Sequence, residues 1–296
     1  MLGVVTGLRS EAKLLRGTGL ACISTGGRAH IARAKIDRLI GRGVRGLVSF
    51  GIAGALSPDL RTGDLVIADT VTNDIGEVWG AHQAWVQALG AAIAPARSHH
   101  RDDAPHHAAA RRSEGHAAGA PPWSAGEDKW DDPSQTSLPG LTRQSKSRVS
   151  TASSKFGSPG FATARRPGDD GRGGRLVCGA VLGLDRMLGS PAEKTRAFAQ
   201  RGALSVDMES HHVARMAVEN GVPFIAVRAI SDQANETLPA VMASFVGQEG
   251  ETRMSAVLAA LILGRIGIGT LLRTGRASQR AHQALLRCRG ALAGLR

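Results

Sequence analysis

Gly46-Leu47-Val48-Ser49-Phe50-Gly51 is the stretch that decides the fold, because a nearly unbroken apolar run of this kind is typical of a strand covered on both faces. Two strand-like runs precede it, at residues 2–6 and 20–25, with a helical pattern between the second run and this stretch. Gly51-Ile52-Ala53-Gly54 is predicted to be the turn after the strand, and another strand-like run follows at residues 65–68. This alternation predicts an α/β fold, a single domain with a central mixed sheet flanked by helices.

A long low-complexity segment interrupts this pattern at residues 97–175. It is rich in Ser, Gly, Arg and Ala, includes His99-His100, and has no sustained apolar periodicity, so the sequence predicts a disordered insert. Its composition would also suit out-of-frame translation of a GC-rich gene. The expected organisation is therefore an α/β domain at residues 1–96 and 176–250, the insert, and a basic helical tail at residues 251–296.

The net charge of +12 is concentrated at the C-terminal end, where eight arginines and no acid follow Thr252. Because the chain has no Tyr and few Phe, the aromatic surfaces that stack bases are scarce, and we expect no nucleic-acid partner. Apolar residues between the arginines fit a helix that lies on an anionic membrane surface, and equally a solvated helix packed on its own domain.

Three widely spaced cysteines and the absence of a basic leader at the start predict a cytoplasmic protein. The tail adds the expectation of peripheral contact with the inner surface of the membrane. His99-His100 and His106-His107 lie in the low-complexity segment without the fixed framework that a closed metal site needs. We therefore expect no metal site.

Two acidic clusters follow strand-like runs in the C-terminal half: Val206-Asp207-Met208-Glu209-Ser210 and Val227-Arg228-Ala229-Ile230-Ser231-Asp232. Residues just past the carboxyl ends of strands line the ligand crevice of α/β domains, so Glu209 and Asp232 are expected in one pocket. Asp207 is predicted to cap a helix over residues 208–219. Two carboxylates in one pocket suit attack on a glycosidic-type bond.

Four segments together resemble the superfamily of purine nucleoside phosphorylases and methylthioadenosine/adenosylhomocysteine nucleosidases. They are Val5-Thr6-Gly7-Leu8-Arg9-Ser10-Glu11, Phe50-Gly51-Ile52-Ala53-Gly54, Val206-Asp207-Met208-Glu209-Ser210 and Ser231-Asp232. The chain is most similar to the hopanoid-associated phosphorylase branch, the adenosylhopane nucleosidases, on the strength of Asp59-Leu60-Arg61-Thr62-Gly63-Asp64, His211 after the Met-Glu cluster, and the arginine-rich end. The resemblance covers residues 1–96 and 176–296 and implies a nucleoside phosphorylase-like fold.

The resemblance implies roles for the acidic clusters. Asp232 would protonate the purine as it leaves, with Ser231 orienting the acid, and the alternative is a helix-capping Asp. Glu209 would accept hydrogen bonds from the ribose hydroxyls while Met208 lies against the sugar; the alternatives are a solvated carboxylate near the helix dipole and ordinary core packing.

Further contacts are implied around the substrate. Glu11 would activate the attacking water, or would merely cap its helix. Gly51 and Ala53 would offer backbone groups to the sugar or to an anion, and Met187 belongs to the segment expected to grip the base. Arg9 is the candidate phosphate ligand of the phosphorolytic alternative.

The resemblance implies an enzyme, either an N-glycosidase (nucleosidase) or a nucleoside phosphorylase. The favoured reaction releases adenine from a 5′-substituted adenosine, with adenosylhopane the preferred substrate in hopanoid lipid biosynthesis. Alternatives are a methylthioadenosine/adenosylhomocysteine nucleosidase, a purine nucleoside phosphorylase, and an inactive remnant or membrane-surface nucleoside-binding module. We expect no cofactor, although inorganic phosphate would be the co-substrate of phosphorolysis, and a homo-oligomer that binds a small nucleoside or a nucleoside-lipid.

Overall fold

The computed structural model describes residues 1–93 and 174–295 of the chain. Eight strands and seven α-helices lie in these two ranges. The strands are β1 (Gly3–Thr6), β2 (Ala21–Ser24), β3 (Leu47–Ala55), β4 (Leu65–Thr72), β5 (Val78–Gly80), β6 (Leu176–Gly183), β7 (Ser205–Asp207) and β8 (Phe224–Asp232). The helices are α1 (Arg9–Leu14), α2 (Ala29–Gly41), α3 (Gln83–Ile93), α4 (Pro191–Arg201), α5 (Ser210–Glu219), α6 (Met254–Ile262) and α7 (Ile268–Ala293), and a 3-10 helix spans Ala240–Phe245.

The strands form one mixed sheet that closes on itself. β2, β1, β3 and β8 run parallel in that order, so their carboxyl ends meet at one edge. β8 then pairs with β4, β4 with β6, β6 with β7, and β7 returns to β3, which makes a five-stranded ring. The prediction of an α/β fold with a central mixed sheet flanked by helices is confirmed.

The predicted turn at Gly51-Ile52-Ala53-Gly54 is wrong, because these residues continue β3 to Ala55. They pair in parallel with β8, and the register is regular up to a shift between Ala53 and Gly54. A β-carbon on Gly51 would lie 2.7 Å from an oxygen of Glu11, and one on Gly54 would lie 2.9 Å from an oxygen of Asp232. Glycine at these positions therefore gives room to carboxyl groups inside a strand.

The predicted disordered insert lies outside the described residues except at its end. There, Arg175 N donates to Asp64 Oδ1 (2.8 Å), and Leu65 N donates to Arg175 O (2.7 Å). These bonds place Arg175 at the start of the β4–β6 ladder, one residue before the predicted return of order.

The C-terminal helix α7 packs on the domain. Its buried residues belong to the main core, and it contacts β3, β8 and α3. These residues are Ala281, Ala284, Leu285, Cys288 and Leu292. In the described ranges, no helix is both long and apolar enough to cross a membrane.

We predict that Leu285→Ala lowers the free energy of unfolding by about 2–5 kcal/mol, since Leu285 is fully buried between α7 and the sheet. Leu286→Ala is the matched control, because the next side chain is 44% exposed and should change the free energy by less than about 0.5 kcal/mol. Urea denaturation measures both. Equal small losses would show that α7 is not part of the folded core.

Candidate active site

Glu11 lies on α1 and its carboxyl group is turned inward, with 2% of the residue exposed. Leu8 N donates to Glu11 Oε2 (2.7 Å), and Ile52 N of β3 donates to Glu11 Oε1 (2.8 Å). The first bond belongs to a helix cap and the second joins the helix to the strand. Glu11 therefore caps its helix and also lies at the sheet edge where the predicted site was expected.

Glu209 is buried at the start of α5 and lies over two glycine-containing loops. A β-carbon on Gly7 would be 2.6 Å from Glu209 Oε1, and one on Gly27 would be 3.2 Å from Met208 Cε. Gly7 and Gly27 follow β1 and β2, whose carboxyl ends adjoin that of β3. Met208 and Glu209 thus lie together at the shared edge of the parallel strands.

The helix predicted over residues 208–219 begins later, at Ser210. Asp207 Oδ1 accepts hydrogen bonds from the backbone N–H groups of Glu209 (3.2 Å) and Ser210 (3.0 Å). The predicted cap is therefore present in its chemistry, but the chain stays non-helical through Met208 and Glu209. This delay places both side chains at the site.

Arg228 is a buried cation that the sequence reasoning did not single out. It lies on β8 opposite Gly51, with 1% of its surface exposed. Its guanidinium forms a salt bridge with Asp207, donates to Ser49 Oγ, and donates to Ser210 Oγ (2.9 Å). The signal in the sequence was an arginine in the middle of an apolar strand, where a charge needs a buried partner.

The buried carboxyl groups differ in protonation. Burial raises the pKa of Glu209 to about 8, and the charges of Asp207 and Glu11 add to the rise while Arg228 opposes it. Burial also raises the pKa of Glu11 above its ordinary value, against the hydrogen bonds from Ile52 and Leu8. Burial would raise the pKa of Asp207 as well, but Arg228 and Ser210 hold it below its ordinary value. The site thus combines an ionised Asp207 with groups that retain protons more readily.

Asp232 ends β8 and is 6% exposed. Its Oδ1 accepts from Ser231 Oγ (2.8 Å), and Ser231 Oγ also lies 3.2 Å from Ala53 O of β3. Gly54 is paired with Asp232 across the two strands. The carboxyl groups of Glu11 and Asp232 therefore both lie against the second half of β3. That half contains Gly51 and Ala53, and Ser231 lies beside it.

Lys194 was also missed by the sequence reasoning. It lies on α4, and the sequence of this helix is typical of one whose charged side chains face solvent. The Lys194 side chain is nevertheless fully buried, and its Nζ lies 2.6 Å from Asp232 Oδ2. In the described part of the chain, Lys194 and Arg228 are the fully buried basic side chains.

The segment expected to grip the base follows β6. Met187 is half-buried in it, between the buried residues Leu184 and Leu188. Leu238 N donates to Gly189 O (2.8 Å), which ties this segment to the loop after Asp232. Beside it lies a cavity of about 130 Å³, lined by Leu184, Leu188 and residues of α4. Its role in binding a base stays a prediction.

Asp185, His211 and His212 bring one potential ligand atom each to within 4.8 Å of one another. Asp185 Oδ1 lies 3.2 Å from His211 Nε2 and 2.7 Å from His212 Nε2. Burial alone would raise the pKa of Asp185, but the two histidines lower it below its ordinary value. An ionised carboxylate only accepts hydrogen bonds, so each Nε2 is a donor here, and hydrogen bonding accounts for the cluster. The expected absence of a metal stays a prediction.

Arg9 lies at the surface and pairs with Glu249. Together with Ser10, Lys13, Arg16 and residues 250–252 it lines a cavity of about 530 Å³ on the outer side of α1. The carboxyl group of Glu11 belongs to the opposite, buried side of the same helix. The structure thus separates Arg9 from the buried acids.

The chain is similar to proteins of one family over most of its length. A family model described as the phosphorylase superfamily matches residues 13–120 and 136–263. The 5′-methylthioadenosine/S-adenosylhomocysteine nucleosidase of Mycobacterium bovis is 24% identical over 242 residues, which cover 81% of this chain and 77% of the relative. The protein of that description in Treponema pallidum is 34% identical over 92 residues, 31% of this chain and 34% of the relative.

Solved structures with the same fold have low sequence identity. S-adenosylhomocysteine nucleosidase from Streptococcus pyogenes, in complex with 5-methylthiotubericidin, has a TM-score of 0.54 at 14% identity, covering 100% of this chain and 97% of its own. The 5′-methylthioadenosine/S-adenosylhomocysteine nucleosidase from Neisseria meningitidis, in complex with methylthio-immucillin-A, has a TM-score of 0.53 at 14% identity, covering 97% of each chain. These likenesses confirm the fold predicted from the sequence.

The raised pKa of Glu209 predicts a pH-dependent stability. Between its ordinary value of 4.5 and about 8, the folded protein keeps a proton on Glu209 that the unfolded chain releases. The free energy of unfolding therefore falls as the pH rises through this window. We predict that Glu209→Gln removes part of the loss that the natural protein shows between pH 5 and pH 8, measured by urea denaturation.

Glu219→Gln is the matched control for this prediction, because Glu219 lies at the other end of α5 with its side chain 42% exposed. It should leave the pH dependence of the natural protein unchanged. If Glu209→Gln and the natural protein lose the same free energy between the two pH values, Glu209 ionises without a folding penalty.

Proposed function

The chain belongs to the phosphorylase superfamily, and on that premise we propose that it cleaves the N-glycosidic bond of a 5′-substituted adenosine and releases adenine. One observation carries the proposal: the buried carboxyl groups of Glu11 and Asp232 both lie against the C-terminal half of β3, and Glu209 is close enough for the charge of Glu11 to raise its pKa. Each acid has a neighbouring glycine that leaves room for it. Such an arrangement suits a nucleoside whose N-glycosidic bond breaks through a transition state with positive charge on the sugar.

Each acid has a chemical role in this proposal. Asp232 protonates N7 of adenine as the C1′–N9 bond lengthens, so that the electron pair passes to a neutral base. Glu209, with Met208 against the sugar, accepts hydrogen bonds from the vicinal ribose hydroxyls. Glu11 removes a proton from the water that attacks C1′. Two backbone N–H groups fix its carboxylate, which supports a positioned base.

We favour water over phosphate as the nucleophile because of where the cations are. Arg228 is neutralised by Asp207, and Arg9 pairs with Glu249 at the surface. A phosphate dianion next to Glu11 and Glu209 would meet two carboxyl groups, and neither Arg228 nor Arg9 is free to offset their charge. Phosphorolysis, with inorganic phosphate as co-substrate, is the alternative reaction, and no other cofactor enters the proposal.

The favoured substrate is adenosylhopane, a nucleoside with a lipid at its 5′ position. An exposed apolar row supports this choice: Met254, Leu258 and Ile262 lie four residues apart on α6, and each is more than half exposed. Ile268 and Leu272 of α7 are also more than half exposed. We call these five residues the apolar row. The alternative substrates are methylthioadenosine and adenosylhomocysteine, which the names of the relatives favour.

The proposed occupant of the apolar row is an anionic membrane surface on the cytoplasmic side. Arg253, Arg265, Arg273 and Arg276 are exposed and lie in the same part of the sequence as the row, and no acidic residue follows Thr252. Two copies of the chain that met through this surface would oppose like charges, whereas anionic lipids would complement them. The buried part of α7 packs on the domain, and α6 packs through Val257 and Ala260 in a smaller cluster with Phe245 and Ile266.

We predict that Asp232→Asn lowers the turnover of adenine release at least about a hundredfold, because the amide cannot supply a proton. Adenine release is measured with adenosylhopane and with methylthioadenosine, and urea denaturation checks the fold. Asp37→Asn, an exposed change on α2, is the control and should act like the natural protein. If folded Asp232→Asn turns over as fast as the natural protein, Asp232 is not the general acid. If the natural protein binds adenine but releases none from either substrate, it is a binding module.

We predict that the protein co-sediments with vesicles containing phosphatidylglycerol, that phosphatidylcholine vesicles bind it weakly, and that high salt weakens the binding. Ile262→Ser should weaken binding several-fold, since Ile262 is 75% exposed in the apolar row. Val218→Ser on α5, where the side chain is 60% exposed, is the matched control and should bind as the natural protein does. Equal binding by the two variants would exclude the apolar row as the lipid contact.

A further inference from the structure

Lys194 is buried completely, although a buried ammonium group is costly unless every proton has a partner. Its Nζ donates to Asp232 Oδ2 (2.6 Å), Gln233 O (2.9 Å) and Glu236 O (3.0 Å). The three N–H donors of the ammonium are thus matched by three acceptors. All three hydrogen bonds of the Lys194 side chain therefore go to Asp232 and to the loop that follows it.

The carboxyl group of Asp232 is fixed from both sides. Lys194 binds Oδ2, while Ser231 Oγ donates to Oδ1 (2.8 Å). This arrangement orients the acid and holds the ammonium group of Lys194 2.6 Å from Asp232 Oδ2, close enough for a proton to pass between the two groups. A general acid in this environment needs a proton source within reach.

We propose that Lys194 is that source: it positions Asp232 and supplies the proton that Asp232 passes to the leaving base. The inference rests on the proposed function, since it needs a base that must be protonated to leave. Lysine suits the task because its ammonium group can release a proton, whereas an arginine keeps its own under all ordinary conditions.

A proton moves from Lys194 Nζ to Asp232 Oδ2, which turns a buried ion pair into two neutral groups and so removes their desolvation cost. Asp232 gives a proton to N7, and the C1′–N9 electron pair passes to N9. Water forms the new bond to C1′ and loses a proton to Glu11. After adenine leaves, Glu11 releases its proton to solvent, Lys194 takes one up, and the ion pair with Asp232 is restored.

Other charged groups face this pair. Glu236 contributes its backbone carbonyl to Lys194, and its carboxylate accepts from Gln233 N (3.1 Å). Arg61 Nη1 donates to Gln233 Oε1 (2.9 Å). These contacts could also make Lys194 a purely structural anchor for the loop, so the test needs a measurement that an anchor would not affect.

The test compares Lys194→Met with the natural protein for kcat, KM and their pH dependence in adenine release. We expect kcat to fall at least about a hundredfold with KM within about threefold. We also expect the ratio of the two kcat values to change with pH. Glu11 and Glu209 are present in both proteins, so a rise toward acid in the kcat of Lys194→Met relative to the natural protein reports that the variant takes the proton from solvent. Lys194→Arg keeps the charge but not the transferable proton, so it should not restore kcat.

Arg38→Met, an exposed change on α2, is the control and should keep natural kinetics. Lower stability with a pH profile of natural shape in Lys194→Met, or natural kcat in Lys194→Arg, would overturn the inference and leave Lys194 as an anchor. If the natural protein releases no adenine from either substrate, the proposed function itself fails, which is a separate outcome.

A measurement on the natural protein covers the case in which the Lys194 variants do not fold. In mixtures of H₂O and D₂O, the transfer from Lys194 to Asp232 adds a third moving proton to the two that pass from Asp232 to N7 and from water to Glu11. The relay therefore predicts that the dependence of kcat on the deuterium fraction needs three moving protons to fit. A dependence that two moving protons fit fully would contradict the relay.

Discussion

The buried guanidinium of Arg228 is the constraint on which the site depends. It is paired with Asp207. Its charge also reduces, without cancelling, the rise that burial causes in the pKa of Glu11 and in the pKa of Glu209. One cation cannot offset three buried carboxylates, so at least one of them must keep a proton. Glu11 receives two backbone N–H groups instead, and Glu209 is the group whose pKa rises to about 8.

This charge balance links the fold to the chemistry. In the proposed function, a neutral nucleoside enters this site and offers ribose hydroxyls to Glu209, whereas a phosphate dianion would add charge that Arg228, already paired with Asp207, does not offset. Near Gly54, at the carboxyl end of β3, the ammonium group of Lys194 forms a salt bridge with Asp232. Each acid therefore has its own environment, and environments that differ in this way separate the roles of acid and base.

The sequence predicted the family, the mixed sheet and the two acidic clusters, because strand runs and strand-end acids depend on local patterns. It did not predict that Gly51 and Gly54 belong to β3, since glycines are typical of turns, and here they are needed because carboxyl groups pass close to the strand. Nor did it find Lys194, whose partner is 38 residues away in the chain and whose burial depends on packing across the domain. Arg228 was visible as a charge within an apolar strand, but its partners were not.

The most direct measurement of this account is the origin of the oxygen that joins C1′. The reaction is run in H₂¹⁸O with inorganic phosphate present, and the sugar product is weighed by mass spectrometry. If the buried acids and the paired Arg228 exclude phosphate, the product is a free 5′-substituted ribose with one ¹⁸O atom at C1′. A 5′-substituted ribose 1-phosphate without the label would contradict the account, because it would require a phosphate site among those acids.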